Sequence, residues 1–215
     1  MFQRHRLKPI TSSKKPAASS QELSLTIVQA GDPALRQTAR PLSREEILSA
    51  RIRGLIESMK QSMRDAPGVG LAAPQVGQSL QLAVIEDRPE YTRDWSQKQL
   101  AERERAPVEF HVIVNPTLTL IGDESVEFFE GCLSLPGLMA LVPRKRQVRV
   151  ECLDDQARPR VIEAGGWYAR ILQHEIDHLF GNLYVDRMHP RTLMTVENYK
   201  QHWLQKTLPE IKAEL

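Results

Sequence analysis

Residues 166–181 read GWYARILQHEIDHLFG, and this stretch decides how the rest of the chain is arranged. Its apolar residues recur at helical spacing, and Gly181 stands where a helix C-terminal cap is expected. His174 and His178 are four positions apart, so on a helix both imidazoles face one side and can reach the same metal ion. Glu175 lies beside them, where its carboxylate can act as a general base toward water. Because HExxH is short, two histidines falling on a surface helix by chance are the alternative.

Two histidines need a third ligand to hold a catalytic metal ion. The residues after His178 offer His189, but they lack the longer zincin pattern. Cys132 in the run EGCLSLP is a stronger candidate, because a thiolate is a good soft ligand and core packing poorly explains a lone cysteine among glycine, serine and proline. Cys152 instead alternates with polar residues in the strand predicted at 147–153, which suits an inward residue of a half-buried strand.

The composition favours one soluble, intracellular globular domain. The 215 residues suit a single domain at 23–215 that ends in a C-terminal helix, and a net charge of +2 gives no field that would favour specific DNA binding. Two cysteines are too few for a disulfide framework, and no apolar run approaches the roughly 18 to 20 residues that cross a membrane. The basic, Ser- and Pro-rich segment 1–22 is predicted to be a flexible extension, which suits either a disordered tail or an organellar transit peptide. We therefore expect a cytoplasmic location, with an organelle as the alternative.

Strands and helices segregate along the chain. Ser43 and Glu46 form a capping box for a helix predicted to end near Asp65. Strands are predicted at 80–85, 110–114, 117–121, 126–129 and 147–153, and further helices at 166–180 and between 191 and 206. The charged stretch 87–107 is predicted to be a mobile surface insertion. This pattern predicts the α+β class, with mixed or antiparallel β-sheets around a central metal-binding helix.

Three motifs together resemble the signature of the peptide deformylases. They are GVGLAAPQ at 68–75, EGCLS at 130–134 and HEIDH at 174–178, and the resemblance extends from about residue 28 to residue 195. It implies a peptide deformylase-like fold and a metallohydrolase that removes the formyl group from the N-terminal formylmethionine of newly made proteins, releasing formate. The charged insertion and the sequence around HEIDH are more similar to the branch that includes organellar deformylases.

The resemblance also implies a role for each motif residue. Cys132, His174 and His178 would hold one divalent ion, with Fe²⁺ as the physiological ion, although the same ligands accept Zn²⁺, Ni²⁺ or Co²⁺. The implied catalytic residues are Glu175 as base and then acid, with the Gln75 side chain and the Leu133 backbone N–H as oxyanion donors. The implied substrate-binding residues are Gly68 and Gly70 along the peptide and Val69, Trp167 and Ile171 around the methionine side chain. Arg144 and Asp177 match an ion pair that holds the metal helix against the EGCLS loop.

Two other functions are compatible with parts of this pattern. A zinc endopeptidase would explain HExxH alone, but it does not explain Cys132 or Gln75. A catalytically silent metal-binding, ribosome-associated module would be expected to have lost Glu175 or Gln75, and both are present. The expected partners are N-formylmethionyl nascent peptides and, transiently, the ribosome; the basic run at 143–149 suits either ribosomal RNA or a solvated strand edge. Monomer and homodimer both stay open.

Overall fold

The structure is a computed structural model that describes residues 25–214, so the extension predicted at 1–22 lies outside the described residues. The helices are α1 Arg44–Ile47, α2 Ala50–Asp65, α3 Gln97–Glu102, α4 Gly166–Leu179, α5 Val196–His202 and α6 Leu208–Glu214. The strands are β1 Gly70–Ala72, β2 Leu82–Asp87, β3 Val108–Cys132, β4 Leu135–Leu153, β5 Pro159–Gly165 and β6 Met194–Thr195. None of the described helices is long and apolar enough to span a membrane.

The strands form one antiparallel sheet in the order β1-β2-β3-β4-β5, and β6 pairs with β4. The prediction of the α+β class with antiparallel sheets is confirmed. The prediction of separate strands between 110 and 129 is wrong, because β3 runs unbroken through all of them. Asn115 and Gly122 take positive φ values of 51° and 67° close to the register shifts, so the breaks in the sequence pattern are bulges in one strand.

The helix predicted from Ser43 to Asp65 is divided at Ser49. The capping box of Ser43 and Glu46 is confirmed at the start of α1. The Ser49 hydroxyl then accepts a hydrogen bond from the Ile52 N–H and starts α2 as a second cap. The chain therefore turns between the two helices, which leaves Leu48 exposed.

Helix α4 packs across the sheet, where it contributes to a buried apolar cluster together with residues of β2, β3, β4 and β5. Eleven of its fourteen residues are buried, including polar ones. Its end is fixed by Gly181, which has a φ of 75° just after the cap residue Phe180 and lies so close to Arg36 that a side chain would meet that backbone at 2.8 Å. A central helix with a defined end holds the HEIDH side chains in fixed positions.

The insertion predicted at 87–107 lies at the surface, since residues 88–107 are exposed or half-buried. It also contains α3, and the Arg105 side chain is only 8% exposed because it pairs with Asp87. Pairing the two charges lets both side chains leave the solvent. The helix predicted between 191 and 206 is confirmed as α5. The structure adds α6 after it, where Pro209 is compatible with the first turn of a helix.

Candidate metal centre

A tight hairpin turn and the central helix together build a cluster of metal-ligating atoms. Cys132 ends β3, and it pairs with Leu135 across the turn that leads into β4. His174 and His178 lie one turn apart on α4. The Cys132 Sγ is 3.3 Å from the His178 Nε2, which is 3.2 Å from the His174 Nε2. In the described part of the chain this is the group of histidine, cysteine and acidic residues that can converge on one ion.

The spacing of these donor atoms fits a divalent metal ion. A tetrahedral ion with bonds of roughly 2.0 to 2.1 Å to nitrogen separates two nitrogen ligands by about 3.3 Å. The observed separation of the two imidazole nitrogens is 3.2 Å. Two nitrogen lone pairs at this distance repel one another, and either a shared proton or a metal ion between them removes the repulsion. A thiolate and two imidazoles form a donor set that suits Zn²⁺, Fe²⁺ or a similar transition metal.

Glu130 is buried next to this cluster, and both of its carboxylate oxygens accept hydrogen bonds. Its carboxylate accepts hydrogen bonds from the His174 Nδ1 at 3.0 Å, from Arg144 through two nitrogens at 3.0 Å, and from Arg170 at 2.6 Å. Burial alone would raise the pKa of Glu130, but Arg144 and His174 outweigh burial and hold the pKa well below its usual range. Because Nδ1 of His174 donates to a carboxylate, its Nε2 keeps a lone pair for the cluster.

Asp177 extends the same network to Arg187, in the segment that follows α4. Arg144 donates to it from β4, and Arg187 donates to it through two nitrogens at 2.7 and 2.6 Å. Arg144 is 4% exposed and bridges Glu130 and Asp177, so the hairpin and α4 are joined by buried charges of both signs. This ion pair orients α4 relative to the hairpin that carries Cys132.

Glu175 faces the cavity in front of the cluster. It is 3% exposed, and its Oε2 makes no hydrogen bond to any described residue. Burial raises the pKa of its carboxyl to about 7. A Cβ on Gly70 would collide with the Glu175 carboxylate, so glycine is the residue that leaves room for it. A buried carboxylate without a partner beside a metal-ligating cluster is available to move a proton.

Gln75 is held beside the cluster by its own loop. Its Oε1 accepts from the Ala72 N–H at 2.8 Å, which aims its Nε2 at the Cys132 Sγ and the Ser134 Oγ, at 3.5 and 3.3 Å. A short segment at 27–30, which we call the N-terminal arm, bonds to both loops: Val28 N–H donates to the Gln75 carbonyl and Ala30 N–H to the Ser134 carbonyl. The arm therefore fixes the distance between the GVGLAAPQ and EGCLS loops.

A cavity of about 670 Å³ opens over the cluster. Among its lining residues are the five predicted to contact substrate, namely Gly68, Val69, Gly70, Trp167 and Ile171, together with Gln75, Leu133, Glu175, Cys132 and His174. The structure thus brings the three sequence motifs to one place. Gly68 lies where a Cβ would be 2.8 Å from the Leu133 side chain, so the cavity narrows between these two loops.

Comparison with known proteins identifies the family. Residues 24–193 match the sequence model of polypeptide deformylase. The chain belongs to the peptide deformylase family. Peptide deformylase 3 of Streptomyces avermitilis is 44% identical over 191 residues, which are 89% of this chain and 83% of that protein. Peptide deformylases are metal-dependent, in agreement with the metal-ligating cluster.

Two further members of the family are similar to this chain. The chloroplastic peptide deformylase 1A of Solanum lycopersicum is 49% identical over 172 residues, which are 80% of this chain but only 62% of that protein, so the chain spans less than two thirds of this relative. The Met-Ala-Ser-bound class I type b peptide deformylase of Acinetobacter baumannii superposes with a TM-score of 0.69 at 31% identity, covering 78% of this chain and all of that one.

Other candidate residues of this chain lie away from the cluster. His189 pairs with Glu127 at 3.2 Å, and Cys152 is buried in the sheet. Most cations of the basic run at 143–149 are covered or paired. Arg144 is buried, Arg146 pairs with Glu104 and Glu124, Arg149 pairs with Glu151 and Glu163, and Lys145 donates to the Asp123 carbonyl. This arrangement favours the solvated strand edge over a contact with ribosomal RNA.

Sequence reasoning gave no role to Glu130 or Arg170, although both contribute to the site. Glu130 is the first residue of the EGCLS motif, and Arg170 lies four positions before His174 on α4. A charged residue on the otherwise apolar face of a predicted central helix was the available signal, since a buried charge needs a partner.

Proposed function

We propose that the protein is a metal-dependent peptide deformylase that hydrolyses the formyl amide of N-terminal formylmethionine to formate and a free amine. One observation carries the proposal: the unpartnered, buried Glu175 carboxylate faces the same cavity as the Cys132, His174 and His178 cluster. The membership of the family supports the same reaction.

Cys132, His174 and His178 would hold one divalent ion. When bound there, the ion acts as a Lewis acid and lowers the pKa of water toward neutrality. The two imidazoles stay neutral in this role, and the Glu130 carboxylate orients His174 for it through the 3.0 Å bond to Nδ1.

Glu175 would transfer the proton that the reaction moves. Water adds to the formyl carbon and loses one proton to the Glu175 carboxylate, which passes it to the amine nitrogen as the C–N bond breaks. The pKa of about 7 given to Glu175 by burial suits a group that must both accept and release a proton near neutral pH.

Two donors would stabilise the oxyanion that develops on the formyl oxygen. Gln75 is pre-oriented by its bond to the Ala72 N–H and directs its Nε2 toward the cluster. The Leu133 N–H lies in the hairpin turn beside Cys132. Removal of one such donor typically costs about 2.7 to 4 kcal/mol of barrier.

The cavity would bind the substrate as an extended peptide with its methionine side chain inward. Gly68 and Gly70 let the substrate backbone approach, and Val69, Trp167 and Ile171 form apolar lining. The Acinetobacter relative contains a bound Met-Ala-Ser peptide, which corresponds to a deformylated product. That occupant supports the same substrate class here.

The physiological ion would be Fe²⁺, and the partners would be formylmethionyl nascent peptides near the ribosome. The compartment would be the bacterial cytoplasm or an organelle that starts translation with formylmethionine, since relatives include Streptomyces and chloroplastic proteins. To test the ion, the metal-free protein is loaded anaerobically with Fe²⁺ or Ni²⁺ and exposed to air. The iron form should lose activity, with oxidation at Cys132, while the nickel form keeps its activity. Equal survival with unmodified Cys132 refutes this account of the iron chemistry.

Formate release tests the reaction itself. The loaded protein should release formate from formyl-Met-Ala-Ser, leave acetyl-Met-Ala-Ser intact and leave unmodified casein uncut, which separates a deformylase from an endopeptidase or a silent module. Glu175→Gln should keep the metal but lose about 10² to 10⁴ of the rate. Glu163→Gln, which alters an exposed carboxylate on β5, is the matched control and should change neither the metal content nor the rate. Casein cleavage without formate release would favour the endopeptidase instead.

A further inference from the structure

Three arginines and three aromatic residues form a closed ring at one wall of the cavity, which we call the Arg–aromatic ring. Each guanidinium carbon lies 4.9 to 5.9 Å from the centres of two aromatic rings. In order around the ring the residues are Trp95, Arg103, Phe128, Arg170, Trp167 and Arg105, which returns to Trp95. The insertion at 87–107 supplies half of the ring, and β3 and α4 supply the other half.

Arg105 is the most firmly anchored member that the insertion contributes. Its Nε and Nη2 donate to the two carboxylate oxygens of Asp87 at 2.8 and 2.9 Å. The Arg105 side chain is 8% exposed and that of Asp87 is 2% exposed, so solvent weakly screens this pair. The planar guanidinium is thereby fixed between the indoles of Trp95 and Trp167, at 4.9 and 5.0 Å.

Trp167 depends on these contacts for its orientation. Its Nε1 is buried and makes no hydrogen bond to any described residue. A buried indole usually fixes its angle through that N–H, so here stacking on Arg105 and Arg170, with the edge contact to Phe128 at 6.2 Å, must do so instead. Trp167, Arg105 and Arg170 all line the cavity.

We propose that Arg105 is a positioning residue that sets the preference of the cavity for the first side chain of the substrate, by holding Trp167 in the cavity wall. This inference rests on the proposed function, because it assigns the insertion a part in substrate selection by the same site. Arg105 acts through Trp167 and takes no part in proton transfer. Its loss should therefore change the binding of long side chains more than the rate of the chemical step.

Steady-state kinetics with paired substrates test the selectivity. For Arg105→Leu, the KM for formyl-Met-Ala-Ser should rise about tenfold, with kcat within about twofold, because a misplaced wall removes apolar contact from the methionine side chain. The KM for formyl-Ala-Ala-Ser should stay unchanged, since alanine does not reach the wall. Arg103 and Arg105 are ring members, so the matched control is Arg93→Ala, an exposed arginine of the same insertion outside the ring. If the KM rises equally for both substrates, the inference is overturned.

Two further variants guard against a general folding defect. Arg105→Lys keeps the positive charge but loses the paired bonds to Asp87, so it should restore part of the methionine preference. Asp87→Asn keeps Arg105 itself and should raise the KM for formyl-Met-Ala-Ser by less than Arg105→Leu does, again with no change for formyl-Ala-Ala-Ser. A variant series in which stability falls and the ratio of the two kcat/KM values stays constant contradicts a positioning role.

Fluorine NMR gives a readout that does not depend on activity. Incorporation of 5-fluorotryptophan labels the three tryptophans of the chain. Arg105→Leu should shift the signals of Trp95 and Trp167 and leave that of Trp203, which packs elsewhere, as an internal reference. If the native protein releases no formate, the proposed function fails, and the Trp167 signal alone then decides whether Arg105 holds that indole. An unshifted Trp167 signal in Arg105→Leu overturns the inference in either case.

Discussion

Replacing Glu130 by glutamine should destabilise the whole protein and weaken its hold on metal. The change keeps the shape of the side chain and removes one negative charge from a site that is 5% exposed. Arg144, which is 4% exposed, would then keep Asp177 as a carboxylate partner, whereas Arg170, which is 2% exposed, would keep its bonds to the Val142 and Val126 carbonyls but lose its salt bridge. Removing one partner of a buried ion pair typically costs about 3 to 5 kcal/mol, because the other charge is left uncompensated.

That loss is large compared with the roughly 5 to 15 kcal/mol that stabilises a domain. It corresponds to a fall in Tm of about 6 to 20 °C for a chain of this size. The metal-free protein should be unfolded in urea and followed by circular dichroism, so that the result does not depend on metal content. Zinc affinity, measured by competition with a chelator, should fall about 10- to 100-fold because His174 loses its carboxylate acceptor.

Glu163→Gln provides the matched control, since the Glu163 side chain is 71% exposed and pairs with Arg149 on the open face of the sheet. This control should change the free energy of unfolding by no more than about 0.5 kcal/mol. If Glu130→Gln also stays within about 1 kcal/mol of the native protein, the buried network does not stabilise the fold as described.

Three further predictions concern the cavity, the third ligand and a buried histidine. Gly70→Ala should lower kcat about 100-fold with metal retained, because the new methyl group displaces the Glu175 carboxylate. Gly54→Ala changes an exposed helix position with open space around it, and it should instead stabilise the protein by about 0.5 to 1 kcal/mol. Cys132→Ser should lose bound metal in elemental analysis, whereas Cys152→Ser, which is remote from the cluster, should retain it. Burial lowers the pKa of His111, so the neutral ring is favoured in the folded state: its contribution to stability is complete above the unfolded pKa of about 6.5 and is lost as pH falls below it.

Each of these has a clear contrary outcome. Full activity of Gly70→Ala would show that Glu175 can move without loss. Equal metal content in the two serine variants would remove Cys132 from the ligand set. For His111, the free energy of unfolding is compared at pH 7.5 and pH 5.5 in the native protein and in His111→Gln; the same pH dependence in both would mean that other groups cause it.

Short-range signals in the sequence predicted the elements that carry the site. The capping box at Ser43 and Glu46 and the HEIDH helix with its glycine end depend on residues within one or two turns of each other. Such signals need no knowledge of the partner elements. The convergence of the three motifs came from family resemblance, because no local rule relates residue 75 to residue 132 or residue 174.

Features that depend on distant partners could not be predicted in the same way. β3 appeared as several short strands because bulges at Asn115 and Gly122 interrupt its alternation, and only pairing with β4 shows that it is continuous. Arg105 belonged to a segment whose charges indicated solvent exposure, yet Asp87 and the Arg–aromatic ring bury it. A charged segment predicts solvent exposure only where no oppositely charged side chain from another part of the fold pairs with it.

The N-terminal arm has a consequence for the order in which the protein matures during synthesis. Residues 28 and 30 leave the ribosome well before their hydrogen-bond partners at residues 75 and 134, and the HEIDH helix follows later still. Contacts this distant in the chain close slowly, because the intervening loops must be ordered first. The candidate metal centre is therefore assembled last, and an incomplete chain holds neither the fixed loop spacing nor the complete set of ligating side chains. We therefore expect activity in the cell only from completely folded molecules and none from early folding intermediates.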